Sequence, residues 1–180
     1  MTNTANTEID WKQASRGFDT VADLYDAYRP GYPEELLEAL VSMTGIQADG
    51  KILEIGSGTG KATLMFARRG FSILCVEPGQ NLVAIAARNL RNYPRVEFEA
   101  VAFEDWKERQ AEFDLVMSAQ AFHWVLKEIG YAKAARALKA PRLRPVLGRD
   151  AARLSAHGWA VLPLSGIMRQ SYHLRRDPLQ

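Results

Sequence analysis

Cysteine is almost absent: Cys75 is the single thiol in 180 residues, so no intrachain disulfide braces the fold and no thiolate pair can hold a metal. A reducing, cytoplasmic setting is expected. No stretch approaches the roughly eighteen consecutive apolar residues of a membrane span, and Met1 to Thr7 are polar, without the basic patch and apolar run of a secretory signal. A soluble chain with no membrane partner is expected. Charge of one sign is also missing. Lys plus Arg number 23 against 21 Asp plus Glu, net +2, which excludes a strongly basic, phosphate-neutralising nucleic-acid binder. The three histidines, His123, His157 and His173, lack metal-ligand spacing, and no metal is expected. Solenoid repeats and low-complexity tracts are absent too. What is present, 47% hydrophobic residues, suffices for one domain.

Composition breaks near residue 140. Residues 1–140 carry 16 basic and 19 acidic side chains, whereas residues 141–180 carry 7 and 2, the seven all Arg. Four of the eight prolines, Pro141, Pro145, Pro163 and Pro178, fall in that tail, where they oppose central strands and long helices. The expected division is an extended or disordered 1–17, a folded domain 18–140 and an atypical Arg/Pro-rich tail 141–180.

Within the domain, Phe18, Val21, Ala22 and Tyr25 sit at helical spacing behind the possible caps Asp19 and Thr20. A second helix runs from Pro33 with the stripe Leu36, Leu37, Leu40 and Val41. From Lys51, short apolar runs alternate with helical segments, the pattern of βαβ units. Strands are expected over Ile52–Ile55, Ile73–Val76, Val96–Val101 and Phe113–Ser118. Helices are expected from Ala62 to a Gly70 stop, from Leu82 to Tyr93, and along Ile129, Ala132, Ala135 and Leu138. The fold class is α/β, a doubly wound, mainly parallel Rossmann-like sheet with its ligand at the carboxyl ends of the strands. Arg142–Gly148 is a poor fifth strand because of Pro145; Trp159–Leu162 is the candidate to pair instead.

The segment Glu54-Ile55-Gly56-Ser57-Gly58-Thr59-Gly60 joins the first strand to a helix, where glycines let backbone approach a ligand closely. Position 55 is Ile and Gly60-Lys61 is followed by Ala62, so the spacing of a nucleotide-triphosphate loop fails twice. The dinucleotide pattern fails at Lys61. The spacing present is Gly-x-Gly-x-Gly, two residues after a carboxylate on an apolar strand, which is costly to bury without purpose.

That string, with Glu77 closing the next strand, resembles the first two motifs of the class I S-adenosylmethionine-dependent methyltransferases. Phe103-Glu104-Asp105-Trp106, Phe113-Asp114-Leu115-Val116 and Ala121-Phe122-His123-Trp124 are similar to the family's later motifs, and Tyr25-Asp26-Ala27-Tyr28-Arg29-Pro30-Gly31-Tyr32-Pro33 is similar to the leading segment of a branch that includes trans-aconitate-methyltransferase-like enzymes. The matches span roughly residues 18–140. The resemblance implies S-adenosylmethionine as cofactor, S-adenosylhomocysteine as product and a small-molecule acceptor, with a carboxylate favoured by that branch. It implies that Glu54 holds the ammonium end, that Gly56, Gly58 and Gly60 leave room for the cofactor, and that Ser57 among them is a cofactor contact. Glu77, beside Pro78, would accept from the ribose hydroxyls, and Ala102, Phe103 and Glu104 would meet the adenine. Ser118 and Ala119 would border the methionine tail, Tyr25 and Arg29 would lie over the cofactor as a lid, and His123 would be the catalytic candidate on the acceptor side, next to Trp124.

Bland readings stand beside these. Glu104 and Asp105 can be a solvated, helix-capping pair, His123 a packed imidazole, and Cys75 an inert core residue. A cofactor-binding remnant or regulatory protein without turnover and, less favoured, an NAD-dependent oxidoreductase are the alternative functions. The family pattern calls for a Pro-Gly-Gly-like turn and further strands after Lys139, and none is recognisable; a frame change or truncation near 140 is the expectation, testable by reading the gene in the other frames.

Overall fold

A computed structural model describes residues 17–139 and the backbone of 159–162. Its elements are α1 (Ala22–Tyr28), α2 (Glu34–Thr44), β1 (Lys51–Ile55), α3 (Lys61–Arg68), β2 (Ser72–Val76), α4 (Gln80–Asn89), β3 (Val96–Glu99), β4 (Leu115–Ala119), a 3₁₀ turn (Phe122–Trp124), α5 (Lys127–Ala137) and β5 (Trp159–Leu162). The sheet order is β3-β2-β1-β4-β5, with the first four strands parallel and β5 antiparallel to β4. Strand order therefore reverses at β1, the switch point where such sheets open a crevice.

The period of two along each strand sorts side chains between two cores. Ile52, Ile73, Cys75, Leu115 and Met117 join α2, α3 and Leu90 on one face. Leu53, Ile55, Leu74, Val76 and Val116 meet Phe103, Trp106, Phe113 and α5 on the other. Because both faces are covered, the strands read as nearly continuous apolar runs, which is why the sequence located them. Glu54 falls on the same face as Ile52, where an apolar residue would be expected.

Five expectations need correction. The helix expected to run to Tyr93 stops at Asn89, with Leu90 as its C-cap. Asp19 and Thr20 do not cap α1: its N-cap is Val21 without a side-chain bond, Thr20 bonds the Gly17 carbonyl, and Asp19 reaches a different helix. β3 ends at Glu99, since Val101 N turns back to the Glu99 carbonyl. β4 begins at Leu115, Phe113 making only an isolated bridge to Leu138. In α5 the buried face is Gly130, Lys133, Ala134 and Ala137, while Ile129 is exposed. An alanine-rich helix with little amphipathic contrast let a lysine turn inward. Trp159–Leu162 does pair with β4, whereas the tail beyond it, Arg142–Gly148 and residues 1–16 lie outside the described residues. No helix among the described residues is long and apolar enough to cross a membrane.

Candidate functional site

The carboxyl ends of β1, β2 and β4 and the loop after β3 surround a cleft of about 640 Å³. Ile55, Gly56 and Gly58 come from the β1 end, Glu77, Pro78 and Gly79 from β2, Ala102 to Asp105 from the loop after β3, and Ala119 to Ala121 with His123 and Trp124 from β4. Phe18, Asp19, Tyr25 and Arg29 cover it from the amino-terminal side. A small annex of about 30 Å³ adjoins it and is lined by Glu54, Ser57, Thr59 and Lys61, sharing Tyr25, Arg29, Gly56, Gly58 and Ala119 with the main cleft.

Glu54 forms the bottom of the annex and is 0% exposed. Its Oε2 accepts a 2.7 Å hydrogen bond from Thr63, one turn into α3, whereas its Oε1 has no partner among the described residues. Burial pushes the carboxyl up to about 8; the Thr63 hydroxyl works against the shift and the Glu77 charge adds to it. A buried polar oxygen left unpaired costs on the order of 1–3 kcal/mol, a cost that a bound ammonium would relieve by ionising the carboxyl.

Glu77 is 7% exposed and locks two loops together: Oε2 accepts from Gly58 N and Oε1 from Gly79 N, each at 3.0 Å. Burial raises its pKa, and these two amide bonds oppose that rise. Each oxygen keeps a lone pair for a ligand hydroxyl.

Two of the glycines are in close contact with the protein's own side chains. A Cβ on Gly56, at φ +72°, would sit 2.2 Å from the Ala121 Cβ, and one on Gly60, at φ +83°, would sit 2.7 Å from Leu90 Cδ1. Gly56 thus seats the β4 loop and Gly60 seats α4 against α3. Gly56 and Gly58 both line the two cavities.

Glu104 is held at two points: its Oε1 accepts from Leu126 N at 2.8 Å, and its carbonyl accepts from Lys133 Nζ at 2.8 Å. Its neighbours Ala102, Phe103 and Asp105 line the cleft with it. Ser118 is buried and does not reach the cleft, because its hydroxyl donates to the Ile55 carbonyl at 2.7 Å and ties β4 to β1. Ser57 stands at the annex with its hydroxyl buried.

The covering segment is fastened from below. Asp19 caps the start of α4 through Asn81 N and Leu82 N, and Asp26 takes Asn89 and Lys61 at its far end. Tyr25, Phe18 and Trp124 form an edge-to-face row with centroids 5.6 and 6.0 Å apart. Arg29 lies 5.5 Å over Tyr25 and donates to Gln120, joining lid to β4 loop. Burial raises the Tyr25 pKa, with Arg29 opposing. His123 is exposed at the rim, packed 4.7 Å from Trp124, and its partial burial lowers its pKa.

Thr63, Asp19, Gln120 and Lys133 are missed by sequence reasoning. Thr63 had a readable signal, a hydroxyl in the first turn of a helix behind a buried acid. The others act across 29 to 91 residues of chain, which spacing does not encode.

The methyltransferase-domain family matches residues 52–141, half of the chain and the part that builds the cleft's floor. The chain belongs to that family. An uncharacterized methyltransferase of Mycobacterium bovis is 27% identical over 128 residues, 71% of this chain and 50% of the relative. An uncharacterized methyltransferase-like protein of Schizosaccharomyces pombe is 31% identical over 120 residues, 66% of this chain and 45% of that one. The domain thus spans about half the length of the curated relatives it matches. Among solved structures, a Haemonchus contortus phosphoethanolamine N-methyltransferase, described in complex with S-adenosylhomocysteine, superposes with a TM-score of 0.61 at 21% identity, over 72% of this chain and 33% of that one. At that identity the likeness speaks for the α/β class I fold.

Proposed function

We propose that the cleft binds S-adenosylmethionine and that the protein transfers the sulfonium methyl to a small-molecule acceptor, leaving S-adenosylhomocysteine. The observation that carries this reading is the orphaned Glu54 Oε1 at the bottom of the annex, a buried acceptor that suits an ammonium. When bound, the sulfonium supplies an already activated methyl group. The protein's task is then orientation and dryness. Glu54 and Ser57 hold the amino-acid end, and Glu77 beside Pro78 accepts from the ribose hydroxyls. Ala102, Phe103 and Glu104 offer the purine a wall of backbone and ring. Ala119 borders the methionine tail, while Ser118, Gly56 and Gly60 act through the backbone they fix; Tyr25 and Arg29 close over the top.

In the transfer, the acceptor atom bonds to the methyl carbon as the carbon–sulfur bond breaks in line, and the acceptor's proton, where it has one, passes to His123 or to solvent. The trans-aconitate-methyltransferase-like leading segment favours a carboxylate acceptor, and Arg29 is the one Lys or Arg on the main cleft among the described residues. We assign residues 18–140 as the cofactor-binding domain.

The test is calorimetric titration with S-adenosylhomocysteine, with NAD as control. Saturable binding that falls at least about 30-fold in Glu77→Ala is expected, since the change removes an acceptor and unlocks Gly58 and Gly79. Binding of NAD instead would move the protein to the oxidoreductases. Binding without methylation of a panel of small acids and amines would make it a cofactor-binding protein.

A further inference from the structure

The loop after β3 has weak support from the sheet. β3 is an edge strand of four residues, none fully buried, and its ladder ends at Glu99. Beyond it, the Ala102–Asp105 wall is shaped by a turn in which Asp105 N and Trp106 N both donate to the Ala102 carbonyl at 2.9 Å. Two bonds from outside then seize one residue of that wall. Leu126 N donates to the Glu104 carboxylate, and Lys133 Nζ to the Glu104 carbonyl, each at 2.8 Å.

Lys133 is an unexpected occupant of its place. It sits on the buried face of α5, 8% exposed, among alanines and a glycine. Its ammonium forms no ion pair with a carboxylate among the described residues. It lies instead 5.7 Å from the Phe103 ring centre and 5.9 Å from that of Trp106, two rings stacked 5.7 Å apart. Burying an ammonium on one carbonyl and two ring faces is costly, and methionine would fill the same space without that cost.

We infer that Lys133 is a positioning residue, whose ammonium pins the Glu104 carbonyl and so holds the Ala102–Asp105 wall in the shape that receives the flat, purine end of the cofactor. This rests on the cofactor reading above. Lys133 does not line the cleft and touches no reacting atom; its effect passes through Phe103 and Glu104, which do line it.

The experiment compares full-length Lys133→Met and Lys133→Arg with the parent, reading thermal stability and the dissociation constants of S-adenosylhomocysteine, 5′-methylthioadenosine and L-homocysteine. Met keeps the stem and its packing, so Lys133→Met is expected to melt at or above the parent's temperature. It should weaken S-adenosylhomocysteine and 5′-methylthioadenosine about tenfold each while leaving homocysteine within twofold, and Lys133→Arg should recover most of the loss. Leu126→Pro reaches the same wall without touching the core: the side chain is exposed and its φ of −60° suits proline, so only the N–H on Glu104 is removed. It should show the same ligand pattern. Equal losses for all three ligands, or none in either variant, would overturn the inference while leaving the cofactor site standing. Failure of the parent to bind S-adenosylhomocysteine would overturn both.

Discussion

Asp19 Oδ1 stands 2.8 Å from the amide nitrogen of Asn81, 62 residues further along the chain, and so caps a helix to which it does not belong. The same oxygen accepts from Leu82 N at 3.1 Å, and the Asn81 side chain returns to the Asp19 carbonyl and Oδ2. One carboxylate therefore both ends α4 and holds the covering segment beside Glu77. Asp19→Ala should lower unfolding free energy by about 1 kcal/mol, the usual worth of a cap. It should also raise amide exchange across α1 and weaken S-adenosylhomocysteine severalfold. Unchanged exchange in α1 would show that the strap is held elsewhere.

The buried Glu54 ties stability to pH with a definite sign. Its folded pKa of about 8 exceeds its ordinary 4.5, so between those values the native state keeps a proton that the unfolded chain has lost. Stability is fully present below 4.5 and is lost as pH rises towards 8, with a slope approaching ~1.4 kcal/mol per pH unit. Denaturant titrations of the ligand-free protein at intervals from pH 5 to 8.5 check this. Glu54→Gln should flatten most of the slope and leave the smaller contribution of Glu77, which burial raises in the same direction. An ammonium ligand needs the ionised form, so S-adenosylhomocysteine should bind about tenfold more tightly at pH 8.5 than at 6.5, and this gain should vanish in Glu54→Gln.

Gly56→Ala combines two faults. A left-handed backbone costs an L-residue roughly 1–2 kcal/mol, and the new methyl would overlap Ala121. Stability should fall by more than the backbone cost alone. Adding Ala121→Gly should restore the steric part only, which a double-mutant cycle in urea would measure. Additive losses would mean that the two loops do not touch in solution.

His123 carries an imidazole whose partial burial favours the neutral form. If it accepts the acceptor's proton, kcat/KM should fall only as pH drops below 6.5, and His123→Ala should lower turnover about 100-fold while S-adenosylhomocysteine affinity stays within twofold. Equal turnover would make it a rim residue that packs on Trp124.

The legible parts of this molecule were those that depend on local pattern. Ile52–Ile55 and Ile73–Val76 are apolar because both faces of the strands are covered, and Glu54 is conspicuous because it interrupts one such run. Gly70 follows its helix at positive φ, as its place after an apolar stripe implies. Relations across the chain were not legible. The choice of which α5 face turns inward depends on Phe103 and Trp106 receiving Lys133, and nothing within Lys127–Ala137 states that. Gln120 at φ +59° and its contact with Arg29 likewise exist only once β4 and the covering segment meet. The glycine loop was legible as a close approach, but the approaching partners at Gly56 and Gly60 are the protein's own Ala121 and Leu90.

That self-contact divides the cleft into parts of unequal stiffness. Gly56 N is bonded to the Val76 carbonyl at 2.8 Å, Gly58 N is held by Glu77, and Ala121 presses on Gly56 from above. The floor is thereby stitched to three strands at once. The covering segment hangs on Asp19 and Asp26, and the Glu104 wall on Leu126 and Lys133, a few bonds each at the surface of the sheet. A ligand can lift either flank at the cost of a few hydrogen bonds, whereas shifting the floor would break the sheet itself. The floor thus fixes the frame of the cleft, while the strap and the Glu104 wall are the pieces that can yield.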